Sequence, residues 1–416
     1  MPADKTMYDF DIPVDRSKIN SIKWGTRDVK QEGLIPLSVA DMDFAVDESI
    51  LGAMRNRIGH PVFGYEFPPA DLNDAFCAWQ SRRHGFTVQQ ESIVHLPGVV
   101  NGLAMSILTF SKPGDGVVIQ PPVYPPFFGV VSNNARKLLL NPLQYHVESR
   151  TWSMDFGGLE KIFADEQPAM MLLCNPHNPV GRVWRPDELK VLAELCRRYD
   201  VILISDDIHS DFILENHSYT PLIEAVNHAT QGCIQILSPA KTFNIPGLGM
   251  AFALVPDPEH KHALLKCVKR LGLSRQNTMA RTAVLAAYEH GEEWFKEVKA
   301  YIEKNHQFFN EQMDNLLPWA RVSKAEGSFL AWIDFRESGL SHPEIAYAIR
   351  HQAKLLLFDG LSFGEEGRFF FRLNLACPRT LLREGAVNLV RALTVAKKQG
   401  PSPVSLENVV DKRCCG

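Results

Sequence analysis

The sequence predicts an α/β protein, a large domain on a mainly parallel sheet followed by a smaller α+β domain. Three observations carry this. From about residue 46 to 290, short apolar, β-branched runs alternate with longer amphipathic stretches, the pattern of strands joined by helical crossovers. After about residue 290 the register changes to long charged helices around a few short strands. Apolar residues make up 45% of the 416 and charged residues 22%, the composition of an ordinary globular enzyme.

Residues 1–45 show little periodicity and read as an arm associated with the small domain, ending at Ser38-Val-Ala-Asp-Met-Asp-Phe44. Strands are predicted at Ser92–Leu96, Gly116–Gln120, Lys137–Leu140, Met170–Cys174, Val201–Ser205, Ile234–Leu237 and Met250–Val255. Between them, Val99–Phe110, Pro186–Tyr199 and His260–Leu271 read as helices, which makes the strands parallel with right-handed crossovers. Pro186 followed by Asp187 and Glu188 is a good helix start, with proline in the first turn and acids at the positive end. In the small domain, 291–398, the long helix Glu292–Leu316 precedes Gly327–Asp334, a helix at Pro343–Gln352, a strand at Phe369–Leu375 and a last helix at Leu381–Lys397. Residues 399–416 read as a flexible tail.

Composition excludes several classes of function. The net charge is −4, from 44 basic and 48 acidic residues, which gives no electrostatic basis for nucleic-acid binding. No apolar run reaches the ~18 residues that a membrane span requires. Asp4, Asp9, Asp11 and Asp15 interrupt the N-terminus where a secretory signal would be apolar, so a cytoplasmic protein is expected. Of eight cysteines, none forms the C-x-x-C pairs that hold zinc. They read as reduced core thiols, no metal site is expected, and the Cys414-Cys415 pair falls in the tail.

The chemistry concentrates at strand ends. Ser238-Pro-Ala-Lys-Thr-Phe-Asn244 follows an apolar strand. A lysine buried there would lose pKa by desolvation and become a nucleophile toward a carbonyl. For Lys241 alone, a solvated surface lysine is the ordinary alternative. Asp206 falls at the carboxyl end of Val201–Ser205, where open α/β sheets bind ligands, and suits a protonated ring nitrogen. An N-cap role for the following segment fits Asp207 equally. Asn175-Pro-His-Asn-Pro-Val-Gly181 fixes Asn178 against the strand ends, as an amide donor to a phenolate oxygen or as part of a plain turn. Gly98-Val-Val-Asn-Gly102 starts a helix whose free N–H groups suit a phosphate. Tyr124, in Pro121-Pro-Val-Tyr-Pro-Pro126, can stack on a flat heterocycle or simply pack.

The order and spacing of these residues resemble the fold-type I, aspartate-aminotransferase-like family of pyridoxal 5′-phosphate (PLP) enzymes, from about Ile35 to Leu393. The motifs are Asn-Pro-x-Asn-Pro-x-Gly, Ser-x-x-Lys and Arg372-Leu-Asn374. The resemblance implies a three-layer αβα domain with a mainly parallel sheet and a smaller α+β domain. It implies that Lys241 bonds the cofactor covalently, Asp206 pairs with the ring nitrogen, Asn178 bonds the ring oxygen and Tyr124 stacks on the ring. His209 joins this cofactor shell. Ser238 with the amides near Val99 and Val100 would hold phosphate, and Arg372 would clamp the carboxylate of an amino-acid substrate.

Val39-Ala-Asp-Met-Asp-Phe44, Val62-Phe-Gly-Tyr65, Asp207-Ile-His209, Pro239–Asn244 and Asn374-Leu-Ala-Cys-Pro-Arg379 are similar to the cystathionine β-lyase subfamily of MalY/PatB type. That branch implies a homodimer with shared sites, in which Tyr65 reaches the phosphate of the neighbouring subunit. His209 stands where many aminotransferases have tyrosine, Gly249 where many have a phosphate-binding arginine, and Asp207 in place of a commoner glutamate. The function implied is α,β-elimination from L-cystathionine or related L-cysteine S-conjugates. Transamination of neutral or aromatic amino acids is the alternative. A non-enzymatic PLP-binding regulator fits less well, because the arm lacks the helical periodicity of a DNA-binding domain and Lys241 is intact.

Overall fold

The computed structural model of the chain describes residues 8–226 and 231–399. The first residues of the arm, and the tail with Cys414-Cys415, lie outside them. Seven strands form the main sheet: β1 (Ile93–Leu96), β2 (Gly116–Ile119), β3 (Lys137–Leu140), β4 (Met170–Cys174), β5 (Ile202–Asp206), β6 (Cys233–Leu237) and β7 (Ala251–Leu254). Their order across the sheet is β1-β7-β6-β5-β4-β2-β3. Six run parallel, whereas β7 is antiparallel to both neighbours. The sheet is mainly parallel, as expected, and β7 is the one strand that departs from the parallel direction. The β6–β7 connection carries only the four-residue helix Pro239–Thr242 and the 3₁₀ turn Pro246–Leu248, in place of the helical crossover that returns a chain in parallel.

Side chains alternate across this sheet, so each face packs a helical layer. Met171 and Leu173 pack with Leu159 and Phe163 and with Leu189 and Leu192, from the helices Phe156–Glu166 and Pro186–Arg198. Met170 and Leu172 face the opposite layer, with Leu103 and Ile107 of Val99–Phe110 and Leu264 of Pro258–Arg270. The result is a three-layer αβα unit.

Four antiparallel strands form a second sheet: β8 (Arg321–Val322), β9 (Leu330–Asp334), β10 (Phe358–Asp359) and β11 (Phe370–Asn374), in the order β8-β9-β11-β10. The helices Glu292–Leu316 and Arg379–Gln399 cover it through Phe309, Met313, Leu382 and Leu389. The arm joins this part, since Ile35–Pro36 pairs in parallel with Leu355–Leu356. It also contains a helix absent from the expectation, Arg27–Glu32, capped by the Thr26 side chain and ended by Gly33 at φ 66°. At six residues it is too short to leave a periodic signature.

Candidate active site

The parallel strands deliver their carboxyl ends to one edge of the sheet. Register places Cys174 opposite Asp206 and Asp206 opposite Ile236, so the segments after β4, β5 and β6 are neighbours. Tyr124 follows β2, Asn178 follows β4, Asp206 ends β5, and Ser238 and Lys241 follow β6. Leu96 at the end of β1 pairs with Ala251 at the start of β7, which brings Gly98–Val100 to the same edge. Most of the predicted residues therefore converge.

Lys241 is partly buried and its Nζ donates to the Ala40 carbonyl at 2.5 Å. Burial, with a push from the Arg372 guanidinium, draws its pKa down to about 8, against the pull of Asp41 and Asp206. Asp206 is buried, and burial pushes its carboxyl up to about 7 although the Ile208 N–H and the nearby Lys241 charge favour ionisation. Its hydrogen-bond donor is that Ile208 N–H, at 3.1 Å. So Asp206 makes the turn, and the N-cap expectation for Asp207 is corrected: Asp207 accepts from Ser205, from Tyr219 and from Gln235 Nε2.

Arg372 on β11 is 1% exposed. Its Nη1 donates to Asn178 Oδ1 at 2.9 Å and its Nη2 to the Ser38 carbonyl at 3.1 Å. Its guanidinium lies over the rings of Phe358 and Phe363. Burial lowers its pKa to about 10, which leaves it charged at neutral pH. It has no carboxylate partner among the described residues, and its buried Nε has no acceptor. Because Arg372 occupies Asn178 Oδ1, only the amide NH₂ of Asn178 remains to donate.

Val99 opens a twelve-residue helix preceded by Gly98 at φ 148°, with no side-chain cap on its first N–H groups. Val99 is buried and Val100 exposed. Ser238 Oγ donates to the Met250 carbonyl at 2.6 Å and accepts from the Ala240 N–H, so its hydrogen serves the turn. Gly249 has φ 60°, and a Cβ there would meet the Pro97 carbonyl oxygen at 3.0 Å. An arginine at this position would be strained, and the uncapped backbone amides at the start of Val99–Phe110 are donors open to an anion. Burial raises the Tyr124 phenol pKa, and the Asp206 and Arg372 charges both reach it. His209 is buried, its Nδ1 3.2 Å from Ser328 Oγ and its ring 5.4 Å from Phe329. Burial and the positive Lys241 and Arg372 hold it well below the usual histidine range, so it is neutral.

Tyr65 stands apart. It is 90% exposed in a segment with Phe63 and Phe67, its ring 4.4 Å from the Arg275 guanidinium carbon. It touches none of the residues above.

Side-chain chemistry did not reveal a strap of backbone carbonyls, Ser38–Phe44. Ser38 accepts from Arg372, Ala40 from Lys241, and Val39 and Asp41 from Asn374 Nδ2. Asn244 locks the far end, accepting from the Met42 N–H and donating to the Met42 and Phe44 carbonyls. The strap therefore ties the lysine turn of one sheet to the arginine strand of the other.

The geometry fits a PLP cofactor. A weakly basic amine suits its aldehyde, and a buried carboxylate lacking a cation suits its ring nitrogen. An uncapped helix start suits its phosphate, and a guanidinium with a free Nε suits the carboxylate of an amino acid. Among the described residues no histidine, cysteine and carboxylate cluster could hold a metal, and no helix is long and apolar enough to cross a membrane. The six cysteines among those residues are free thiols, five of them buried.

Residues 32–389 match the family described as aminotransferase class I and II. The chain is 37% identical over 392 residues to cystathionine beta-lyase PatB of Bacillus subtilis, covering 92% of this chain and 100% of that protein. It is 33% identical over 403 residues to protein MalY of Escherichia coli, covering 94% of this chain and 100% of that protein. Cystalysin from Treponema denticola, whose crystal structure contains pyridoxal 5′-phosphate, superposes with a TM-score of 0.88 at 31% identity, over 94% of this chain and 99% of that one.

Proposed function

The chain belongs to the aminotransferase class I and II family, and on that premise we propose that it is a PLP-dependent carbon–sulfur β-lyase. It cleaves L-cystathionine or related L-cysteine S-conjugates to a thiol, pyruvate and ammonia. The observation that carries amino-acid chemistry is the convergence of Lys241, Asp206 and Arg372, three buried or partly buried charges with no opposite charge bonded to them among the described residues. The choice of elimination over transamination is supported by the full-length similarity to a protein named cystathionine beta-lyase.

When bound, PLP supplies an aldehyde that condenses with amines and a ring that accepts the electrons left when a Cα proton departs. Arg372 binds the substrate carboxylate through its free Nε and an Nη, a bidentate contact suited to a planar guanidinium. This fixes the substrate Cα relative to Lys241. The neutral Lys241 amine takes the Cα proton and returns a proton to the departing sulfur, with a pKa near 8 that allows both roles at neutral pH. An ionised Asp206 holds the ring nitrogen in its protonated form. The Cβ–S bond breaks with its electron pair on sulfur, and one water completes the release of pyruvate and ammonia.

The exposed Tyr65 segment supports a homodimer in which each subunit lends Tyr65 to its neighbour's phosphate. An isologous contact uses the same patch on both chains. Mixing inactive Tyr65→Ala and Lys241→Ala chains then restores activity toward about a quarter of wild type, and no recovery despite subunit exchange contradicts shared sites. The buried free thiols fit a reducing cytoplasm.

The test of function is incubation with L-cystathionine in the absence of any keto acid. Stoichiometric pyruvate and thiol establish the lyase. Turnover that starts only when a keto acid is added identifies a transaminase instead.

A further inference from the structure

The segment after Asp206 contains, besides Asp207, a carboxylate that the proposed chemistry leaves unused. Asp211 is 6% exposed and accepts four contacts from three side chains far away in sequence or on the lysine turn. Trp79 Nε1 reaches both of its oxygens, at 3.2 and 3.1 Å. His84 Nε2 lies 2.9 Å from Oδ1, and since an ionised carboxylate only accepts, that ring nitrogen donates. Thr242 Oγ1 donates to Oδ2 at 2.6 Å. Burial alone would raise this carboxyl's pKa, but the His84 and Thr242 bonds and the His84 and Arg83 charges hold it below the usual value.

Thr242 is the neighbour of Lys241 on the helix Pro239–Thr242. That helix is a single turn and has little rigidity of its own. Its start is held by Ser238 on the Met250 carbonyl, and its far end is held by Asp211. Trp79 adds a second restraint, because its ring packs 5.0 Å from that of Phe243, the next residue. The helix Leu72–His84, which carries both Trp79 and His84, thus bears on the lysine turn through one carboxylate.

We propose that Asp211 is a positioning residue for Lys241, gripping Thr242 so that the amine keeps one direction between the Ala40 carbonyl and the substrate. His84 and Trp79 orient Asp211 for this task. The inference rests on the reading of Lys241 as the cofactor-bearing amine. Proton transfer is sensitive to the placement of the transferring group, and small displacements cost rate before they cost binding.

Three variants test it: Thr242→Val, which keeps shape and removes the donor, Thr242→Ser, which keeps the donor, and Asp211→Asn. Each is assayed for kcat and KM with L-cystathionine. In cofactor-free protein, the rate of reductive methylation at Lys241 by formaldehyde and cyanoborohydride is followed by mass spectrometry, with the exposed Lys112 as internal reference. Thr242→Val should lower kcat by about tenfold or more with KM within about twofold, and speed methylation of Lys241 relative to Lys112. Thr242→Ser should restore both. Asp211→Asn should reproduce the valine phenotype, and the double variant should be no worse than either single. If Asp211→Asn does not fold, the Thr242 pair decides. Wild-type kcat and methylation in Thr242→Val, or a serine variant as impaired as the valine one, overturns the proposal. Cofactor trapped on a lysine other than Lys241 in the wild type would instead overturn the reading beneath it.

Discussion

The arm and the sheet edge both take charge out of water, and they treat it differently. In the arm, Lys23 is fully buried, and its Nζ sits 2.6 Å from Asp43 Oδ2 and 3.7 Å from Asp41. Arg16 bridges the same two carboxylates, and Trp24 Nε1 donates to Asp43 at 2.7 Å. At the sheet edge Arg372 is equally deep, yet no carboxylate meets it among the described residues. Among the described residues Asp206 there has only a backbone donor, and Lys241 only a carbonyl acceptor. An unpaired desolvated charge costs several kcal/mol, so a protein keeps one where a ligand completes it. Paired charge here holds the strap, and unpaired charge marks the site.

The largest effect is expected where an unpaired charge is removed without changing shape. Asp206→Asn should still bind the cofactor on Lys241 but lose about 10²–10³-fold in kcat, because an amide does not stabilise a protonated ring nitrogen. Steady-state kinetics and the absorption of the purified variant check this, and near wild-type turnover would remove Asp206 from the role.

Next comes pH. A lysine amine attacks only when neutral, and burial draws the Lys241 pKa down to about 8 from 10.5. The rate at which apoprotein captures PLP should rise with pH and level off above about 8. At pH 6 it should be about 100-fold below the plateau, ten for each unit of protonation. A rate still climbing beyond pH 9 would describe an ordinary solvated lysine.

The smallest catalytic effect belongs to the paired region. Lys23→Met leaves Asp43 with Arg16 and Trp24 and should cost about 3 kcal/mol of stability, read from denaturant unfolding. Activity of the folded variant should stay within about threefold of wild type. A catalytic loss as large as that of Asp206→Asn would erase the distinction between the two regions.

Much of this was legible in the sequence. Apolar strands ending in Asp206, before Asn178 and before Lys241 announce themselves, because residues at strand ends need no tertiary contact to be placed. The helices Val99–Phe110 and Glu292–Leu316 were legible at both ends. The direction of β7 was not, since an apolar run reads alike in either orientation and only its connection decides. The role of the strap is not legible in its side chains, because its work is done by carbonyls, which every residue has. Trp79 and His84 lie 132 and 127 residues from Asp211, so only the fold brings them together. The exposure of Tyr65 gave no local sign of a function, and its assignment came from resemblance alone.

The central claim is that the unpaired amine at the sheet edge, and not the paired one in the arm, carries the cofactor. Borohydride reduction of the yellow holoenzyme, followed by proteolysis and mass spectrometry, tests it directly. The account predicts one pyridoxyl group per chain, on Lys241, with Lys23 unlabelled. A label on Lys23 or any other lysine, or reconstituted protein that retains no cofactor, would contradict it.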